Sequence, residues 1–256
     1  VYTQLFNACT KIKHIGTSKY HKILTMFEIE RIRERLRQGK PILVFDDNDR
    51  EGETDIFFSA KYVSNLSIRF LRENGGGMIF LAADNSASTK LGLPFAHDIY
   101  ETVINSKKGF KMLETMLNHS IPYDHKSSFS IFINHKDTFT GISDYDRALT
   151  SQSFAEILEE SFNLSELESR EKVANNFRIP GHVPICIADS KLLKSRQGHT
   201  ELIVSLLKLA DMNPVALGCE MIGQDGNSLS SEEARIWASN KGYLFLEGRQ
   251  IMESCQ

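Results

Sequence analysis

The 256-residue sequence predicts a single domain built on a mixed β-sheet covered by helices. Three observations carry that expectation. Six short apolar runs, 42–45, 78–83, 129–133, 183–188, 215–219 and 243–246, have the length of buried strands. Helical patterns separate several of them, and no repeat, low-complexity tract or linker divides the series. The length suits one large domain able to bury a core without disulfide or metal staples.

Taken in order, the first 25 residues stand apart, with four lysines (Lys11, Lys13, Lys19, Lys22), no acid, no arginine and no apolar stretch of signal-peptide type. They are expected to be a disordered leader or an over-extended start, with Met26 as the natural first residue and 26–256 as the domain. From Phe27 to Gln38, Ile29, Ile32 and Leu36 recur at helical spacing, and Gly39 is placed to stop the helix. Pro41 then introduces the strand Ile42-Leu43-Val44-Phe45. Helical patterns follow around 110–117, 154–158, 200–210 and 232–240. The last opens on Ser230 and Glu233, a capping box, and has Gly242 beyond its end. The 30 residues after Gly226 read as one helix and one strand, so no fused second activity is expected.

Composition narrows the function. With 30 Lys+Arg against 33 Asp+Glu the formal charge is −3, so neither nucleic acid nor an anionic membrane is expected as partner. No apolar run approaches the roughly 20 residues of a spanning helix. The four cysteines, Cys9, Cys186, Cys219 and Cys255, form no C-x-x-C pair and read as reduced thiols of a cytoplasmic protein. A small-molecule ligand is the better expectation.

Three groups of residues could carry chemistry. Residues 46–55 place six carboxylates, Asp46, Asp47, Asp49, Glu51, Glu53 and Asp55, in ten positions after the first strand. Such crowding needs a cation, a basic ligand or solvent to relieve it, and a solvated acidic loop is the default. Asp47, Asp49, Glu51 and Gly52 imitate the start of a calcium-binding EF loop, but Phe58 stands where its final Glu belongs. A hard divalent ion with few protein ligands stays open.

Second, Ser195-Arg196-Gln197-Gly198-His199-Thr200-Glu201 opens a helix. Free N–H groups beside Gly198, with Arg196 close by, suit a phosphate, Thr200 is placed as the cap, and a neutral His199 could ligate a metal. Third come Arg178-Ile179-Pro180-Gly181-His182 before one strand and Cys219-Glu220 at the end of another, by default a turn and a solvated carboxylate. Residues 140–147 read as a polar loop and Asn74-Gly75-Gly76-Gly77 as a turn. Cys219 has no neighbouring base to make it a nucleophile.

The segments FDDNDREGETD (45–55), SSFSIFINHKDTFTGISDYDRALT (127–150), FRIPGHV (177–183), RQGHTE (196–201) and CEMIGQDG (219–226) together resemble 3,4-dihydroxy-2-butanone 4-phosphate synthase of riboflavin biosynthesis. The likeness runs in order from about Met26 to the C-terminus. The loop Glu51-Gly52-Glu53-Thr54-Asp55, where the common bacterial form has Glu-Asn-Glu-Gly-Asp, looks like the archaeal branch. The resemblance implies an α+β three-layer sandwich with a mixed twisted sheet covered by helices on both faces, working as a homodimer with its site near the interface. It implies conversion of D-ribulose 5-phosphate to L-3,4-dihydroxy-2-butanone 4-phosphate and formate with Mg2+ or Mn2+, two ions per site once substrate is bound, and no organic cofactor. It puts the metal on Glu51 and His199, and substrate contacts on Arg50, Glu51, Asp55, Arg196, Gln197, Gly198, His199, Thr200 and Glu220. His182, Glu220 and Asp55 become the groups for proton transfer.

Two other readings compete. A non-catalytic relative binding a phosphorylated ligand should lack one of Glu51, His182, His199 or Glu220, and all four are present. A magnesium-dependent sugar-phosphate phosphatase would release inorganic phosphate instead of formate.

Overall fold

A computed structural model describes residues 23–106 and 110–255. The strands are β1 (Ile42–Phe45), β2 (Thr54–Ser59), β3 (Phe80–Ala83), β4 (Phe129–His135), β5 (Phe177–Ile187), β6 (Val215–Glu220) and β7 (Leu244–Glu247). They form one sheet in the order β4-β5-β3-β6-β2-β1-β7. The β1–β7 and β3–β5 pairs are parallel, and β1–β2, β2–β6, β3–β6 and β4–β5 antiparallel, so the sheet is mixed as expected.

Both faces of the sheet are covered. Side chains alternate across a strand, and in β3 Leu81 and Ala83 enter one core while Phe80 and Ala82 enter the other. In β1, Leu43 enters the first and Ile42 and Val44 the second. The central strands therefore read as unbroken apolar runs, buried on two sides. Over the first face lie α2 (Asn65–Asn74), α3 (Asn85–Lys90), α6 (Asp144–Ser161) and α9 (Ser231–Lys241), which supply Ile68, Leu71, Ala87, Phe154, Leu158 and Ala234. Against the second pack α1 (Met26–Arg37), α8 (His199–Leu209) and α10 (Gly248–Ser254), through Ile32, Leu36, Leu202, Leu206 and Ile251. The result is the expected α+β sandwich of three layers. The remaining helices are α4 (Ala96–Ile104), α5 (Lys111–Leu117) and α7 (Glu166–Asn176).

Several expectations need correction. β2 begins inside the acidic run, because Thr54 and Asp55 are buried by ladder pairing with β1 and β6, not by apolar character. The polar loop expected over 140–147 ends at Ser143, which caps α6 by accepting from the Asp146 N–H. α8 starts earlier than the Thr200 cap implied: Gly198 is its N-cap, with no side-chain cap bond, and Thr200 lies inside the first turn. The tail contains α10 as well as the expected helix and strand. Residues 1–22 of the expected leader lie outside the described residues. At its end, Leu24 is buried in the same core as α1, and Thr25 forms a capping box with Glu28.

Candidate active site

The β1–β2 hairpin carries the acidic run as its loop, and one buried carboxylate organises it. Asp46 accepts from the backbone N–H groups of Glu51 (3.1 Å) and Glu53 (3.0 Å) and pairs with the Arg50 guanidinium at 3.3 Å. A carboxylate drawing on two amides and a cation holds a loop firmly. Gly52 takes a left-handed φ of 70° within the turn it closes. Glu51 is thereby turned toward α8, where its Oε2 meets His199 Nδ1 at 3.2 Å.

His199, in the first turn of α8, is buried between acids. Its Nε2 lies 3.2 Å from the Glu53 carbonyl oxygen and 3.7 Å from Asp55 Oδ1. Burial works against its charged form, but the Asp55 and Glu51 carboxylates outweigh that and hold its pKa up at about 9. Burial pushes the Asp55 carboxyl up to about 8, with Glu220 and Glu51 adding to the rise. Glu51, also opposed by burial, stays below the usual carboxylate range because of its bond to His199 and the nearby arginines.

The donor set suits a hard divalent ion. Asp46, Glu51 and His199 each bring a ligand atom within 4.8 Å of the others, and buried Asp55 Oδ1 has no hydrogen-bond partner. An orphaned buried carboxylate oxygen beside an imidazole and a second carboxylate is what a cation would satisfy.

Asp55 and Glu220 are direct partners in the β2–β6 register. Burial raises the pKa of Glu220 too. Its Oε2 accepts from the Met78 N–H at 2.8 Å, and the Gly77 N–H donates to its carbonyl at 3.2 Å. The glycine turn expected before β3 is thus the seat of a site carboxylate.

Arg50, Glu51, Asp55, Arg196, His199, Thr200 and Glu220 line one cleft of about 290 Å³. Gly198 lies at its edge, where a Cβ would stand 2.8 Å from Arg50 Nη2 and collide with Arg196 Nη1. Gln197 instead faces a neighbouring cleft beside Asp47 and Arg249. His182 is exposed, on the part of β5 that lies before its pairing with β3 begins at Leu81↔Ile185, and it does not line the cleft. It is nevertheless held. Its N–H donates to Asn134 Oδ1 at 2.9 Å, and Asn134 Nδ2 lies 3.0 Å from its Nδ1. Gly141, in the 140–147 segment, leaves the space that Asn134 fills.

Among the cleft residues that sequence reasoning missed, two touch the arginines. Asp124 pairs with Arg196 and, at 3.3 Å, with Arg50, and the Tyr123 ring lies against the Arg50 guanidinium at 5.6 Å. Both belong to a polar stretch between α5 and β4 whose pattern gave no signal. Asp46 was noted only as one acid among six, and the depth of its burial distinguishes it within the loop.

Comparison with known proteins matches residues 30–254 to the family model described as 3,4-dihydroxy-2-butanone 4-phosphate synthase. A protein of that name from Archaeoglobus fulgidus is 39% identical over 229 residues, covering 89% of this chain and 94% of its own. One from Methanosarcina mazei is 40% identical over 228 residues, covering 88% and 90%. The crystal structure of the synthase of Candida albicans superposes with a TM-score of 0.65 at 26% identity, over 92% of this chain and all of that one. A synthase structure in complex with two magnesium ions gives a TM-score of 0.66 at 23% identity, covering 87% and 94%.

Proposed function

The chain belongs to the 3,4-dihydroxy-2-butanone 4-phosphate synthase family, the lyases that convert D-ribulose 5-phosphate to L-3,4-dihydroxy-2-butanone 4-phosphate and formate in riboflavin biosynthesis, and we propose that the cleft at the β1–β2 loop and the start of α8 carries this reaction. The observation that bears most weight is the meeting of Glu51 and His199 at 3.2 Å from distant parts of the sequence, with the Asp55 oxygen that has no hydrogen-bond partner alongside.

Glu51 and His199 would hold Mg2+ or Mn2+, with two ions once substrate is bound, the number that a fold relative carries as magnesium. When bound, such an ion would supply Lewis acidity to a sugar ketone, the chemistry that enolisation at C3 calls for. Arg196 and Arg50, with the free N–H groups of the first turn of α8 around Thr200, anchor the phosphate. Gly198 keeps the approach to that anchor open, and Gln197 stands on the neighbouring cleft that shares Arg50. Asp55 and Glu220, facing each other across β2 and β6, take up and return protons as the C1 hydroxyl leaves, the skeleton rearranges and C4 departs as formate. Burial favours this duty by keeping both carboxyls above their ordinary pKa.

His182 joins the site from a second copy of the chain. In support, it is exposed and aligned by Asn134, yet lies outside its own cleft. An apolar groove lined by Phe132, Ile179, Pro180 and Gly181 runs beside it and shares Ile121, Asp124 and Phe129 with the cleft. A homodimer formed there sets the site near its interface. No helix among the described residues is long and apolar enough to cross a membrane, and Cys186, Cys219 and Cys255 are free thiols. We place the enzyme in the cytoplasm, with neither nucleic acid nor membrane as partner.

The test is carbon NMR of the purified protein with ribulose 5-phosphate and magnesium, with and without chelator. Formate and the four-carbon phosphate should appear and vanish on chelation. Inorganic phosphate in place of formate would make the protein a phosphatase, and substrate binding without turnover a non-catalytic relative.

A further inference from the structure

The anion site between Arg50 and Arg196 is already filled from within the chain. Asp124 Oδ2 accepts from Arg196 Nε and from Arg50 Nη2, the latter at 3.3 Å. The other edges of the two guanidiniums are committed elsewhere: Arg50 Nη1 to Asp46 and Glu51, and Arg196 Nη1 to Glu201. Asp46 and Glu201 are buried and fixed, Asp46 by the amides of its loop and Glu201 by the Asp189 N–H at 2.8 Å.

Asp124 differs from them. It sits between α5 and β4 on a strap whose regular pairing is one isolated bridge, Ile121↔Asp124, and whose Tyr123 is half exposed. The strap is fastened to the cleft by Asp124 on both arginines and by the Tyr123 ring against Arg50. Of the carboxylates on the two arginines, Asp124 bridges both and is therefore the one a ligand spanning the pair would displace.

We propose that Asp124 is an internal ligand of the phosphate site, an affinity-setting residue that occupies the Arg50–Arg196 pair in the free enzyme and yields it to the phosphate of the substrate. A phosphate dianion offers more charge and more acceptor oxygens than a carboxylate and so exchanges with it. The apparent affinity for the phosphorylated sugar is lowered by the work of releasing Asp124. This inference rests on the reading of Arg50 and Arg196 as the phosphate anchor.

The experiment titrates inorganic phosphate, by calorimetry and as a competitive inhibitor, into the full-length wild type, Asp124→Asn and Arg196→Ala. Asp124→Asn should bind phosphate about tenfold more tightly and lower KM for ribulose 5-phosphate in the same direction, a gain that structural damage does not produce. Unchanged or weaker phosphate binding in Asp124→Asn, with Arg196→Ala still weakened, would overturn the proposal and leave the anchor standing. Phosphate binding unaffected by Arg196→Ala would overturn the anchor itself. Should Asp124→Asn fail to fold, Tyr123→Ala loosens the same strap and must also tighten phosphate; failure to do so would overturn the proposal.

Discussion

Gly77 and Glu220 share one space: a Cβ at Gly77 would stand 2.7 Å from the Glu220 Cβ and overlap its Oε2. The carboxylate can reach the Met78 N–H because residue 77 has no side chain. Gly77→Ala meets no left-handed φ, but a Cβ so close to the Glu220 Cβ forces the turn and the end of β6 slightly apart, so a modest loss of stability is expected with the sheet retained. The substitution should lower kcat by about 100-fold through displacement of Glu220. Steady-state formate release beside a thermal melt checks this; wild-type kcat in the Gly77→Ala enzyme would show that Glu220 need not sit where it does.

Asp46 is predicted to matter through its loop. Asp46→Ala removes the acceptor of two amides and the partner of Arg50, and should cost about 3 kcal/mol of stability in urea denaturation. Asp46→Asn, which keeps one acceptor oxygen, should cost less. A loss below about 0.5 kcal/mol for Asp46→Ala, the level of an ordinary surface change, would mean that the loop is held by other bonds.

Metal binding should release protons. In the metal-free protein the His199 pKa stands at about 9, above its ordinary 6.5, so the folded state keeps a proton at pH 7 that an unfolded chain mostly loses. That proton's contribution to stability is fully present below pH 6.5 and is lost as pH rises through about 9. Ligation needs neutral imidazole, so magnesium affinity should climb as pH rises toward 9, with net release of protons on binding at pH 7. Calorimetry in two buffers of different ionisation enthalpy measures the release. Identical heats in both would refute His199 as a ligand.

Arg196→Ala should raise KM for ribulose 5-phosphate more than it lowers kcat, because an anchor contributes alike in ground and transition states. A fall in kcat at unchanged KM would move Arg196 from binding to chemistry.

The legible parts of this protein are those with a local signal. Val44 and Phe80 belong to apolar runs, and Ser230 with Glu233 is a capping box, so their elements could be read directly. β2 could not, because Thr54 and Asp55 become strand residues only through pairing with β1 and β6. α6 was seen in part, since its buried Thr150, Ser151 and Ser161 dilute the apolar stripe. Glu51 and His199 stand out in the sequence as part of an acidic run and as a histidine at a helix mouth, Glu220 gains its role only from the family pattern, and folding brings all three to one cleft. Asp124 and Gly77 matter through neighbours remote in the chain, Arg196 and Glu220, and nothing around them in sequence announces that. His182, singled out by the same family pattern, does not line the cleft of its own chain.

The most direct test of the account is formate release by Glu51→Gln, followed by carbon NMR with saturating magnesium and ribulose 5-phosphate, beside magnesium titration of the same sample. The variant is nearly isosteric and should keep the wild-type fold while magnesium affinity and formate release both collapse. A folded Glu51→Gln enzyme that still released formate at the wild-type rate would contradict the assignment of Glu51 as a metal ligand, and with it the reading of the cleft.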